Sequence, residues 1–143
     1  MPYLAEISRA NPSAFLFLVD QSQSMREPVG SADSSTTKAV AVADAINNLL
    51  QNLVSKCTKS EGIRDYYHVG VIGYGGTTAG PALGGHLAKK DFVPISLVGN
   101  SPIRVEQRLK KVSDGRGNFI ERKYQNAVKI RLDAIYRLYG VRP

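Results

Sequence analysis

A short apolar run that ends in a carboxylate places the tightest limit on how this chain can fold. Residues 14–19, Ala-Phe-Leu-Phe-Leu-Val, are apolar at every position, and Asp20 follows them directly. An uninterrupted apolar run of this length is typical of a parallel strand that helices bury on both faces. The run therefore predicts a strand in the middle of an α/β sheet, with Asp20 at the edge where the strand ends.

Two hydroxyl side chains follow this carboxylate at alternate positions. Ser22 and Ser24 complete the pattern Asp-Gln-Ser-Gln-Ser. A turn after the strand can bring these oxygens toward one point, and such ligands suit Mg²⁺, Mn²⁺ or Ca²⁺ better than a soft metal. Asp20, Ser22 and Ser24 are therefore the candidate metal ligands. The structural alternative is that Asp20 caps a local turn or pairs with a lysine, and that both serines are turn residues.

The next two segments complete a strand, helix and strand unit. Within residues 38–57, apolar side chains recur at steps of three and four, which predicts an amphipathic helix that Thr36 or Thr37 can cap. Residues 66–74 are rich in aromatic and β-branched side chains and predict a second strand. If the two strands are parallel, their carboxyl ends share the sheet edge at which ligands bind in open α/β folds.

The pattern Asp-x-Ser-x-Ser after a strand resembles the metal-ion-dependent adhesion site of the von Willebrand factor type A (vWA) family. The flanking residues, the Ala-rich helix and the second strand come in that family's order, and the likeness to its bacterial, intracellular members covers about residues 10–80. The resemblance implies a Rossmann-like, doubly wound, mostly parallel sheet flanked by helices. It also implies a cation that engages an acidic residue of a partner protein, and binding without catalysis.

The family's site takes ligands from three loops, and this chain supplies the first. A Thr before a later helix and an Asp after a later strand are expected to complete it. Thr77 and Thr78 come directly after the second strand, too early for that order, and Asp114 has no apolar strand before it. A full globular domain of this type is expected to span about 150–200 residues, whereas this chain ends at Pro143. The sequence therefore predicts an incomplete sheet in a shortened or diverged member.

The composition indicates one domain, residues 1–143, with 43% hydrophobic and 22% charged residues, which excludes global disorder. No apolar run approaches the length of about 20 residues that a membrane span needs, and no secretory signal is visible. Cys57 is the only cysteine and has no internal disulfide partner, so we expect a cytoplasmic protein.

The net charge of +7 comes from one end of the chain. Residues 1–99 carry eight basic and eight acidic residues, and residues 100–143 carry eleven basic and four acidic ones. A vestigial metal site with a basic C-terminal segment that binds nucleic acid or an acidic surface is therefore the rival interpretation. A third is that an incomplete sheet exposes an apolar edge, so that the chain functions only as an oligomer or with a second subunit.

The remaining segments have weaker patterns. Residues 73–85 contain six glycines and a proline and predict an irregular surface loop. Residues 92–98 predict an edge strand, because Pro94 has no N–H for a central ladder. Residues 104–112 fit a short strand or a helix, and the spacing of residues 124–139 predicts a terminal amphipathic helix.

No catalytic arrangement is visible in the sequence. The glycine-rich segment lacks the Gly-Lys-Ser/Thr ending of a phosphate-binding loop. His68 and His86 have no Cys or carboxylate at ligand spacing, and neither serine has the flanking glycines of a nucleophile elbow. Cys57 lies on the apolar helix face, where a small buried side chain is expected. We therefore expect no enzyme activity.

Overall fold

The computed structural model describes residues 6–30, 36–75, 79–102 and 104–128, and these form a mixed α/β structure. The helices are α1 (Lys38–Cys57) and α2 (Ile95–Asn100). The strands are β1 (Ser13–Asp20), β2 (Thr58–Lys59), β3 (Gly62–Ile63), β4 (Tyr67–Tyr74), β5 (Gly80–Pro81), β6 (Val93–Pro94), β7 (Arg104–Ser113) and β8 (Phe119–Val128).

The predicted strand, helix and strand unit is confirmed. β1 and β4 pair in parallel over their whole length, from Ser13 opposite Tyr67 to Asp20 opposite Tyr74. Parallel neighbours need a long crossover connection, and α1 lies in that connection. α1 begins after Thr37, one of the two predicted caps, whose hydroxyl accepts a hydrogen bond of 3.3 Å from the backbone N–H of Val40.

The core lies on one face of the β1–β4 pair. Side chains alternate between the two faces of a strand, so Val19, Val69 and Val71 share a face in this register, and each is at most 5% exposed. The same core cluster includes Leu50 of α1 and Val98 of α2. Both helices therefore contribute to the core on this face.

β1 lies at an edge of the sheet that the described residues form, and not in its middle as the sequence predicts. The strand order is β1, β4, β5, and β6 also pairs with β4. β5 and β6 are antiparallel to β4, so the described sheet combines parallel and antiparallel pairing. Leu16 and Leu18, on the face opposite the core, are 50% and 64% exposed. An apolar run favours extended backbone, but the neighbouring elements decide whether both of its faces are covered.

The glycine-rich segment contributes to the core and is not only a surface loop. β5 pairs with β4 through Pro81 opposite Ile72, and Ala82 and Leu83, which follow it, are at most 3% exposed. The predicted strand at residues 92–98 is also wrong over most of its length. Only Val93–Pro94 is extended, and α2 begins directly after Pro94, which is its N-cap residue.

Residues 104–128 form a long antiparallel hairpin of β7 and β8. Residues 104–112 are therefore a strand, one of the two alternatives. Residues 124–128 end β8 and do not begin the predicted helix, whose remaining residues 129–139 lie outside the described part of the chain. Neither α1 nor α2 is long and apolar enough to cross a membrane.

Candidate metal-binding site

Asp20 lies at the carboxyl end of β1, directly beside Tyr74 at the end of β4. The ladder continues one residue further, because the backbone N–H of Gln21 donates a hydrogen bond of 2.6 Å to the carbonyl oxygen of Tyr74. The Gln21 side chain is only 4% exposed, and a Cβ at Gly73 would collide with it. Gln21 therefore fixes the end of β1 against β4, and the turn begins with the next residue.

The Asp20 carboxylate organises the turn that follows β1. Its Oδ1 atom accepts a hydrogen bond of 2.7 Å from the backbone N–H of Ser22. Ser22 is the N-cap of a short 3-10 helix, Gln23–Arg26, which contains Ser24. The Oγ atoms of Ser22 and Ser24 are 3.1 Å apart and share a hydrogen bond. The two hydroxyls are therefore adjacent, and the Asp20 carboxylate contacts the backbone of the same turn.

Hydrogen bonding favours the charged form of Asp20. The backbone N–H of Ser22 is the main cause that lowers the pKa of this carboxyl below its ordinary value, and the Ser22 hydroxyl adds to it. Partial burial acts in the opposite direction and is the smaller effect. The site therefore holds one negative charge at neutral pH, and the carboxylate keeps acceptor capacity beyond the single backbone donor.

Gly75 closes the site from the side of β4. It has a φ of +100°, and a Cβ at this position would lie 2.8 Å from the backbone nitrogen of Ser22 and 3.0 Å from Oδ1 of Asp20. Glycine meets both demands, because it has no Cβ and adopts positive φ without penalty. Sequence reasoning placed Gly75 only in an irregular loop, and its position directly after β4 was the signal for this role.

Of the other residues considered for the site, only Asp114 lies among the described residues. Thr77 and Thr78 lie outside the described residues. Asp114 lies in the β7–β8 turn, where its Oδ1 accepts hydrogen bonds of 2.7 Å and 3.1 Å from the backbone N–H groups of Arg116 and Asn118. Asp114 is therefore a turn cap of the β7–β8 hairpin.

The described residues contain no group of three or more His, Cys, Asp or Glu side chains that could hold a metal ion. Among the described residues, Asp20 and the two hydroxyls are the candidate donors at the end of β1. These donors are all oxygens, as Mg²⁺, Mn²⁺ and Ca²⁺ require, and they fit such an ion in type. An open depression beside them is lined by Gln23, Ser24, Arg26 and Glu27.

Cys57 is a structural thiol. It is 1% exposed within the core cluster, as its place on the apolar face of α1 predicted. Loss of solvation raises the pKa of this thiol, so the reactive thiolate is disfavoured. Cys57 therefore offers no nucleophile for catalysis.

Comparisons of the chain with protein family models, with curated proteins and with solved structures found no match. The function of this protein must therefore be argued from its own residues. The turn after β1 is the place where their chemistry is most concentrated.

Proposed function

We propose that this chain is a non-catalytic binding module of vWA-like fold, in which Asp20, Ser22 and Ser24 hold a divalent cation that engages a carboxylate of a partner protein. The observation that supports the proposal is the turn at the carboxyl end of a parallel strand, in which Asp20 accepts from the backbone N–H of Ser22 and the hydroxyls of Ser22 and Ser24 are 3.1 Å apart. Ligands bind at this edge in open α/β sheets.

The charge of the site favours a ligand that brings a second carboxylate. One carboxylate and two neutral hydroxyls compensate only half of the charge of a divalent ion. Mg²⁺ prefers six oxygen ligands and keeps several waters when the protein supplies few. A partner carboxylate would replace one of these waters and add the missing negative charge. We therefore expect weak binding of the ion alone and tighter binding of the ion together with the partner.

Titration with Mg²⁺ and Mn²⁺, followed by NMR at the amides of Asp20, Ser22 and Ser24, tests the metal site. Saturable shifts with Mg²⁺ and paramagnetic broadening with Mn²⁺, centred on these amides, are expected. Both effects should disappear in Asp20→Ala and weaken in Ser22→Ala and Ser24→Ala. Unchanged spectra at about 20 mM Mg²⁺, roughly twentyfold above a weak dissociation constant of about 1 mM, would contradict the proposal.

Asp114 provides a matched control, because it also accepts a hydrogen bond of 2.7 Å from the backbone N–H two residues later. It therefore has the turn geometry of Asp20 without the pair of hydroxyls. Mn²⁺ should broaden the amide of Ser22 at a lower concentration than that of Arg116. Equal broadening at both turns would mean that Asp20 is only a turn cap, as in the structural alternative.

A peptide with one aspartate tests the second half of the proposal. Its affinity should rise when Mg²⁺ is added, fall again with chelator, and be insensitive to Mg²⁺ in Asp20→Ala. The same peptide with asparagine in place of aspartate is the ligand control. Equal affinity of the aspartate peptide with Mg²⁺ and with chelator would refute carboxylate capture.

One feature of the β7–β8 hairpin favours the rival function, in which the basic C-terminal segment binds nucleic acid or an acidic surface. Lys111, Arg116, Arg122 and Lys123 are exposed on it, and in the ladder Glu121 lies opposite Lys111. A basic ribbon of this kind can bind phosphates, and such binding weakens steeply as salt rises. The affinity for duplex DNA then distinguishes the two functions. An affinity that falls with salt, is unchanged by chelator and is lost in Lys123→Glu would favour this function over the metal-dependent one.

A further inference from the structure

The outer edge of β1 has the features of an unfilled position in a sheet. The backbone N–H of Ser13 donates to Tyr66 and that of Gln21 donates to Tyr74, so the odd-numbered residues of β1 bond toward β4. Backbone groups alternate in direction along a strand. The N–H and C=O groups of Ala14, Leu16 and Leu18 therefore point away from β4, where none of the described strands pairs with them.

This edge lacks the features that protect natural edge strands. Protected edges carry lysine, proline, a bulge or an inward-pointing charge, or they are very short. β1 has eight residues, and it carries no charge and no proline from Ser13 to Val19. Phe15, Leu16 and Leu18 are 39%, 50% and 64% exposed. An exposed edge of this length and composition favours pairing with another strand.

We propose that a second copy of this chain covers the edge, by antiparallel pairing of β1 with β1 of the partner in a two-fold symmetric dimer. One register pairs all the residues whose backbone N–H and C=O groups point away from β4. In it, Leu16 lies opposite Leu18 of the second copy, and Ala14 lies opposite its Asp20. Four hydrogen-bonded pairs of this kind form about eight backbone hydrogen bonds. The two short sheets then become one continuous sheet.

The side chains are compatible with this register. Phe17 lies at the two-fold axis, opposite Phe17 of the second copy. Within each chain, Phe17 also stacks on Phe15, with the ring centroids 6.5 Å apart. On the opposite face, the exposed leucines of the two copies form one apolar cluster. The two Asp20 carboxylates lie at opposite ends of the interface, about 20 Å apart, which is beyond the screening length at physiological salt. No like charges therefore oppose the pairing.

The mass of the intact chain in solution, measured by light scattering at about 100 μM, tests this proposal. A dimer is expected. Leu18→Lys should shift it to a monomer, because the lysine brings two charges into the centre of the interface. Leu49→Lys is the matched control, because Leu49 is a 49% exposed leucine on α1, outside the proposed interface. The control should remain a dimer, and circular dichroism should show that both variants are folded.

Cysteine cross-linking tests the register. Paired residues have Cα atoms about 5.5 Å apart, within the range of a disulfide, whereas diagonal neighbours are about 7–8 Å apart. A mixture of Leu16→Cys and Leu18→Cys chains should therefore form a mixed disulfide dimer, and either variant alone should cross-link poorly. Cys57 is buried and should not take part.

Three results would overturn the proposal. One is a monomer at 100 μM, and another is a dimer that Leu18→Lys leaves intact. The third is a monomer that dimerises only when residues 129–143 are removed, because it would mean that this segment of the same chain covers β1. The dimer should also persist in Asp20→Ala and in chelator, so a failure of the metal proposal leaves this one standing.

Discussion

The backbone of Gly75 lies against the carboxylate of Asp20, so the residue that follows β4 supports the turn that leaves β1. Its missing side chain leaves room for both Oδ1 of Asp20 and the backbone nitrogen of Ser22, which are joined by a hydrogen bond of 2.7 Å. The two parallel strands therefore do more than share an edge. The second strand fixes the shape of the turn that carries the candidate ligands.

Gly75→Ala should destabilise the protein by about 1–3 kcal/mol, because alanine is strained at a φ of +100° and its Cβ would press on the turn. Gly80→Ala is the matched control, since nothing lies within 4 Å of the added Cβ there. It should cost no more than about 0.5 kcal/mol. Urea unfolding of both variants measures the difference. Equal stabilities would mean that Gly75 does not restrain the turn.

The low pKa of Asp20 makes its contribution to stability depend on pH. The folded state binds this proton less tightly than the unfolded state, where the pKa is near 3.8. The contribution is therefore present above about pH 4 and is lost as pH falls through the folded pKa. Asp20→Asn should lose less stability than the parent between about pH 6 and pH 2, because asparagine still accepts from Ser22 but does not titrate.

Unfolding free energies at several pH values measure this effect. Asp114 and Glu61 also have lowered pKa values, and both remain in the Asp20 variant. The difference between the two pH profiles therefore isolates Asp20. Asp114→Asn should show a similar difference that belongs to the hairpin turn. Parallel profiles for the parent and Asp20→Asn would show that the hydrogen bond from Ser22 does not favour the charged carboxylate.

The sequence predicted the local elements near the site because their signals are local. The spacing of apolar residues determined the bounds of α1, and the carboxylate after the apolar run marked the end of β1. The convergence of Ser22 and Ser24 followed from their alternate positions. Gly75 was missed because its role depends on contact between two strands that are far apart in the chain.

The position of β1 could not be predicted from its own residues. An apolar run has the same composition whether one strand or two lie beside it, so Leu16 and Leu18 predicted burial that the described residues do not provide. The hairpin was ambiguous for a related reason. Residues 104–113 form a strand because β8 pairs with them over ten positions, and that pairing is not visible within either segment alone.

The choice between two possible caps of α1 yields a separate prediction. Thr37 is the N-cap residue of α1, and its hydroxyl accepts a hydrogen bond from the backbone N–H of Val40. Thr37→Ala should lower the unfolding free energy by about 1 kcal/mol, and Thr37→Ser should retain most of it. Thr58→Ala at the other end of α1 is the control, since its hydroxyl only donates to the carbonyl of Val54. It should change stability by about 0.5 kcal/mol or less.

The burial of Cys57 predicts that its thiol reacts only when the structure opens. Its raised pKa leaves little thiolate, and its 1% exposure excludes a reagent from the sulfur. Labelling by an aromatic disulfide should be about 100-fold slower than in denaturant, which corresponds to an opening free energy of about 3 kcal/mol. A cysteine introduced by Leu49→Cys, on the exposed side of the same helix, should label rapidly without denaturant. If Cys57 labels as fast as this control, α1 does not pack on the core as the structure shows.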